Sequence, residues 1–158
     1  MKSKIPTPES FVVRIYKQQK VVGAGFLVSD RYILTCAHVV ADADNPQEKP
    51  TQEIELDFPI IKPGKRLKAK VEFWLPVKPQ TSPEDIAALK LIEPLPEEAQ
   101  PASLSVTDRV IFGRKFEAFG FPEDREEKGI WVDGLIKRNI PYGWIQLGGT
   151  NVGIENKS

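Results

Sequence analysis

The chain has 158 residues, of which 41% are hydrophobic, enough to fill one substantial core or two small ones. Its 22 basic and 22 acidic residues give a formal net charge of zero, so no overall field attracts nucleic acid or anionic lipid. A single cysteine, Cys36, excludes an intrachain disulfide, and no apolar run approaches the roughly 20 residues that cross a bilayer. We therefore expect a soluble, cytoplasmic protein with no nucleic-acid or membrane partner.

The 14 prolines lie between apolar runs rather than inside them, a pattern typical of many short strands. The run at 85–92 could be a strand or a helix by periodicity alone, but Pro83 before it and Pro94 after it favour a short buried strand. Strands are predicted at residues 11–16, 21–28, 32–35, 53–58, 67–74, 85–92, 116–121, 129–136 and 143–147.

Local signals refine the first part of this pattern. The polar residues 17–20 predict a hairpin turn, and Gly23 and Gly25 in the second strand indicate a bulge or a close approach of the backbone. Small residues after the third strand predict one helical turn that Thr35 caps. A polar loop is expected at 42–52.

Residues 93–101 are rich in proline and glutamate and show no periodicity, as expected of a linker between two packing units. We therefore predict an N-terminal extension at 1–10, a first domain at 11–100 and a second at 101–158. The charged residues 122–128 are predicted to form a solvated hairpin loop.

The only histidine, His38, follows the third strand. Taken alone it would be structural or solvated. However, Gly-Ala-Gly-Phe-Leu-Val at 23–28 and Ile-Leu-Thr-Cys-Ala-His-Val at 33–39 resemble the histidine region of trypsin-like serine proteases, especially bacterial forms without disulfides. The resemblance implies that His38 takes the proton of a nucleophilic serine at the end of a rigid strand.

A second motif starts at Asp85, which opens the run Asp-Ile-Ala-Ala-Leu-Lys. Taken alone Asp85 could be an ordinary residue at the start of a strand. The run is similar to the aspartate segment of the same family, which implies that Asp85 orients His38 and fixes its tautomer. The resemblance implies an all-β fold, a trypsin-like double Greek-key β-barrel with a complete first barrel and a partial second one.

Cys36 offers an alternative nucleophile, two residues before His38. We expect it instead to be a small buried hydrophobe, because side chains two apart on a helical turn do not face each other. One histidine and one cysteine also make a zinc site of the usual kind unexpected, and neither a cofactor nor a metal is predicted.

No serine matches the family's Gly-Asp-Ser-Gly-like turn, so the nucleophile is predicted to be none in this chain. Ser103 and Ser105 follow the linker without flanking glycines, and Ser158 is the last residue. Thr107 and Thr150 also lack that turn. The strand pattern is expected to fade from residue 148, which suggests an unfinished second barrel.

Three interpretations stay open. The chain is a serine endopeptidase domain that acts on a peptide or protein substrate but is inactive without its serine, or a non-catalytic binding module. The third is a gene shortened by a frameshift or stop. An unfinished barrel is expected to expose strand edges that recruit a partner strand or a second copy.

Overall fold

A computed structural model describes residues 6–78, 84–105, 112–123, 127–140 and 144–152; of 138–140 and 144–152 it describes the backbone alone. The chain forms two compact units, residues 1–104 and 105–158. The predicted domain boundaries near residues 10 and 100 remain a prediction. No helix in these described ranges is long and apolar enough to cross a membrane.

The first unit is built almost entirely of strands. Its elements are α1 (Pro8–Phe11), β1 (Val12–Lys17), β2 (Lys20–Leu27), β3 (Tyr32–Thr35), α2 (Ala37–Val40), β4 (Ile54–Phe58), β5 (Lys62–Leu75) and β6 (Ile86–Leu91). The strands pair antiparallel in the order β1-β2-β3-β6-β5-β4 and close into a barrel. Closure pairs each described strand of this barrel with two neighbours, so none of these strands is an outermost strand.

The barrel interior is filled by the apolar residues that alternate along the strands. The segment 85–92, ambiguous in sequence, is a strand whose Ala87, Leu89 and Leu91 point inward. The core cluster comprises Val13, Ile15, Leu27, Ile33, Ala37, Val40, Leu56, Phe58, Leu67, Ala69, Val71, Ala87, Leu89 and Leu91. Burial of these side chains is the main source of stability in a chain with no disulfide.

The β1–β2 hairpin contains the two features predicted for it. Its turn consists of Gln18 and Gln19, both with positive φ (49° and 70°), and the strand pairing shifts register between Ile15 and Tyr16, where Ile15 pairs with Gly23 but Tyr16 with Val21. At Gly25 an added Cβ would lie 2.8 Å from the Leu34 carbonyl oxygen of the neighbouring strand. The close backbone approach predicted for this glycine is therefore present.

One ion pair is buried in the barrel. The Arg14 guanidinium donates to Asp57 through Nε at 3.0 Å and through Nη2 at 2.6 Å, and Asp57 is fully buried. The backbone N–H of Gly64 donates a further bond to Asp57 Oδ2 at 3.0 Å. Two donors on the same guanidinium plus a backbone donor offset the cost of desolvating the carboxylate.

Much of the predicted linker packs against the first unit. Leu95 and Ala99 pack against the barrel core. The Gln100 N–H donates to the Ser10 carbonyl at 3.0 Å, and the Ala102 N–H donates to the Leu27 carbonyl at 2.8 Å. These contacts hold residues 95–102 on the first unit and tie them to α1, a helical turn that the sequence pattern did not predict.

The second unit contains β7 (Lys115–Gly120), β8 (Ile130–Ile140) and β9 (Trp144–Val152), paired antiparallel as a sheet in the order β7-β8-β9. Phe119 contacts Phe121 edge-on and Trp131 at a tilt, with ring centroids 5.2 and 4.9 Å apart. The expectation that strand structure fades from residue 148 is wrong, because β9 pairs with β8 as far as Val152. Residues 124–126 of the predicted loop, with Pro83, Thr107 and Ser158, lie outside the described ranges.

Candidate active site

The end of β3 places His38. The Thr35 hydroxyl donates to the Ala24 carbonyl of β2 at 2.8 Å, which fixes the end of the strand. Thr35 is therefore not the predicted helix cap; that position belongs to Cys36, whose side chain makes no capping bond. Within α2, Ala37 and Val40 lie one helical turn apart and are buried, so His38 is left on the outer side.

The register between β3 and β6 places Asp85. Thr35 pairs with Ala87 in the antiparallel ladder. Asp85, two residues before Ala87, therefore lies near Ala37, two residues after Thr35. Asp85 directly precedes β6 and therefore reaches the first turn of α2.

Both oxygens of the Asp85 carboxylate bind His38. Its Oδ1 accepts the backbone N–H of His38 at 2.9 Å, and its Oδ2 lies 2.6 Å from the ring Nδ1. An ionised carboxylate can only accept hydrogen bonds, so in the neutral ring this contact requires the proton on Nδ1 and leaves the lone pair on Nε2. This arrangement makes Nε2 the available proton acceptor.

The two side chains differ in exposure. The Asp85 side chain is 21% exposed, whereas that of His38 is 64% exposed. The carboxylate is thus held within the structure while the ring faces solvent. A groove of about 560 Å³ lies beside α2, lined by Val39, Val40, the Gln18–Gln19 turn and residues of the 42–55 segment, but not by His38 or Asp85.

The exposed position of Cys36 beside His38 and Asp85 was not predicted from the sequence. The residue is exposed rather than part of the core, so its predicted burial is wrong. Its backbone is extended rather than helical, with φ −73° and ψ 141°. For this reason the helical spacing argument fails, and the sulfur lies within 4.8 Å of ligand atoms of both His38 and Asp85. Local desolvation and the Asp85 charge raise the pKa of the Cys36 thiol, which lowers its thiolate fraction at a given pH.

Among the residues that the structure describes, no serine is hydrogen-bonded to His38 or Asp85. Ser103 and Ser105 are exposed in the irregular segment after the barrel.

Comparison with known proteins decides the family. A family model described as a trypsin-like peptidase domain matches residues 23–152. The chain belongs to this family. The match extends from the first unit into the second and contains the His38 and Asp85 segments. No curated protein sequence matches the chain significantly.

Solved structures agree on the fold. Neuropsin, a serine protease expressed in the limbic system of mouse brain, matches with a TM-score of 0.61 and 15% identity over 95% of this chain and 75% of its own. Kallikrein-related peptidase 10 matches with a TM-score of 0.52 and 16% identity, over 82% of this chain. The HtrA-type protease AlgW with decapeptide matches with a TM-score of 0.54 and 24% identity, over 85% of this chain.

These likenesses show the fold alone, since identity is low. They confirm the predicted all-β, trypsin-like double barrel with a complete first barrel and a partial second one. The trypsin-like domain spans 58% of the kallikrein-related peptidase and 38% of the HtrA-type protease.

Proposed function

We propose that this trypsin-like domain supplies the histidine and aspartate of a serine endopeptidase centre. The observation that carries the proposal is the double contact of Asp85 with His38, to the backbone N–H and to ring Nδ1. A ring held in this tautomer presents Nε2 as a general base, which is the role of the histidine in a His-Asp-Ser triad.

The chemistry follows from this arrangement. In a centre completed by a serine, Nε2 takes the proton of the serine hydroxyl as that oxygen attacks a peptide carbonyl carbon, and Asp85 stabilises the resulting imidazolium. His38 then returns the proton to the leaving amine. The substrate class is a peptide or protein.

We further propose that this polypeptide does not hydrolyse peptides by itself. Ser103 and Ser105 lack flanking glycines that would shape an oxyanion hole, and they are not bonded to His38. Without a nucleophile and oxyanion donors, a histidine–aspartate pair loses nearly all covalent catalysis.

Two measurements test the two halves of the proposal. Because His38 is the single histidine, its ring signals in a nitrogen-15 NMR spectrum are unambiguous. At a pH where the ring is neutral, we expect its proton on Nδ1, and we expect Asp85→Asn to disturb this tautomer while the control Asp30→Asn leaves it unchanged. A neutral ring protonated on Nε2 in the unaltered chain would contradict the general-base role.

The second measurement is labelling by a serine-reactive fluorophosphonate. We expect no label on the purified chain. Labelling that disappears when Ser103 or Ser105 is replaced by alanine would overturn the predicted inactivity and identify the nucleophile.

A second candidate function is a non-catalytic binding module. It is favoured by the sheet of the second unit, in which β7 and β9 are outer strands among the described residues. Outer strands offer unpaired backbone groups to a peptide or to a second copy. Dilution-independent elution as a monomer in size-exclusion chromatography would count against self-association.

A further inference from the structure

Three different metal-binding side chains meet at the start of α2. The Cys36 sulfur, a His38 ring nitrogen and an Asp85 carboxylate oxygen all lie within 4.8 Å of one another. Cys36 and His38 are exposed, and the Asp85 side chain keeps 21% of its surface open. An ion can therefore reach all three from solvent.

The spacing is close to that of a tetrahedral zinc site. With bonds of about 2.3 Å to sulfur and about 2.0–2.2 Å to nitrogen and oxygen, tetrahedral ligand atoms lie roughly 3.3–3.6 Å apart. The observed limit of 4.8 Å requires an adjustment of about 1 Å, which rotation of exposed side chains can supply. The 2.6 Å contact between Asp85 and His38 must lengthen for the ion to enter.

The donor set selects the kind of ion. Mg²⁺ and Ca²⁺ take oxygen ligands, whereas one sulfur, one imidazole nitrogen and one carboxylate suit Zn²⁺. Three protein ligands leave the fourth position to water. The backbone keeps the three ligands close together. Cys36 and His38 are separated by a single residue, and the Asp85 carboxylate already accepts the His38 backbone N–H.

We propose that Zn²⁺ binds to Cys36, His38 and Asp85, with release of the thiol proton to solvent. Whichever ring nitrogen binds the ion, Nε2 stops being a proton acceptor. If Nε2 binds, its lone pair is used; if Nδ1 binds, the ring proton resides on Nε2. The metal-bound state is therefore incompatible with general-base action, a regulatory consequence that rests on the proposed function, whereas zinc binding itself does not.

Zinc affinity tests the site directly. Zn²⁺ is titrated into the full chain against a chromophoric chelator, for the unaltered protein and for Cys36→Ser, Asp85→Asn and the control Asp30→Asn. We expect one ion per chain, binding at least about tenfold weaker in the first two variants, and no change in the control, since even outer partners of zinc ligands contribute 10–100-fold. Asp30 is a suitable control because its side chain is 79% exposed on another turn.

Co²⁺ provides a readout of the ligands themselves. A thiolate bound to Co²⁺ gives a near-ultraviolet charge-transfer band, which we expect in the unaltered chain and not in Cys36→Ser. Circular dichroism checks that each variant is folded. No saturable zinc binding to the folded chain, or equal affinity and an unchanged cobalt band in Cys36→Ser, would overturn the site. Either result leaves the tautomer measured for His38 unaffected, so the two proposals fail separately.

Discussion

The Cys36 thiol is coupled to the neighbouring Asp85 carboxylate. Desolvation and the Asp85 charge both raise the thiol pKa, and a raised pKa lowers the thiolate fraction at a given pH. Removing the charge with Asp85→Asn should therefore lower the pKa and speed alkylation by iodoacetamide near pH 8. The pH at which alkylation accelerates should fall in the variant.

Mass spectrometry follows this reaction at one position, because the chain has a single cysteine. Asp30→Asn serves as the control, since Asp30 pairs with Arg31 on the surface. Equal alkylation rates in Asp85→Asn and the unaltered chain, with both folded, would show that the carboxylate does not influence the thiol.

The Arg14–Asp57 pair is a buried residue contact whose loss should cost stability. Asp57 is fully buried and binds two guanidinium nitrogens and the Gly64 N–H. Asp57→Ala should lower the free energy of unfolding by about 3–5 kcal/mol, because it leaves a buried cation deprived of this carboxylate. Urea unfolding followed by tryptophan fluorescence measures the loss.

A surface ion pair provides the comparison. Asp30→Ala removes a contact 3.7 Å long between exposed side chains, and we expect a change within about 0.5 kcal/mol. If Asp57→Ala were no more destabilising than Asp30→Ala, the buried pair would not contribute to folding as its geometry indicates.

Among the elements, the β1–β2 hairpin stores local strain. Gln18 and Gln19 both have positive φ, a conformation that a two-residue hairpin requires and that Asn-Gly adopts readily. Gln18→Asn combined with Gln19→Gly should raise the free energy of unfolding by about 1 kcal/mol. Thermal and urea unfolding both report the change.

A glycine substitution in a strand tests whether the gain in stability comes from relief of strain at the turn or from glycine in general. Lys70→Gly on the exposed side of β5 should instead lower stability by about 0.5–1 kcal/mol, because a strand interior gains nothing from left-handed freedom. A loss of stability in the Asn-Gly variant would contradict the strain argument.

Periodicity predicted the elements wherever a strand has one face in the core. It failed for β5, which begins at Lys62 although Lys62-Pro63-Gly64 has no apolar pattern. Those residues join the strand because Lys62 pairs with Phe58 and Gly64 binds Asp57, contacts that arise only in the folded chain. The helical turn α1 was missed for a different reason, because its hydrogen bonds from Ser10 to the Thr7 carbonyl are local and four residues are too few to show a helical period.

The candidate site was predictable only where a family motif contains it. His38 and Asp85 stand in motif contexts, and the β3–β6 register then brings them together. Cys36 carries no such signal. Its exposure depends on an extended backbone at the start of α2, which neither composition nor spacing reveals.

At the scale of the whole molecule, the first unit has what independent folding requires. Its barrel is closed, its core comes entirely from residues 13–91, and residues 95–102 complete its surface. Because the barrel is closed, each of its described strands has two neighbours within the first unit. A fragment of residues 1–104 should therefore unfold in a single cooperative transition.

The same fragment should keep the arrangement of His38. The residues that place the ring, from Ala24 and Thr35 to Asp85, all belong to this unit. We expect the fragment and the full chain to give the same Nδ1-protonated histidine signal by NMR, and Asp85→Asn to disturb it equally in both. A fragment that folds but shows the other tautomer would mean that the second unit is needed to align the pair, because the barrel alone would then fail to hold His38 in place.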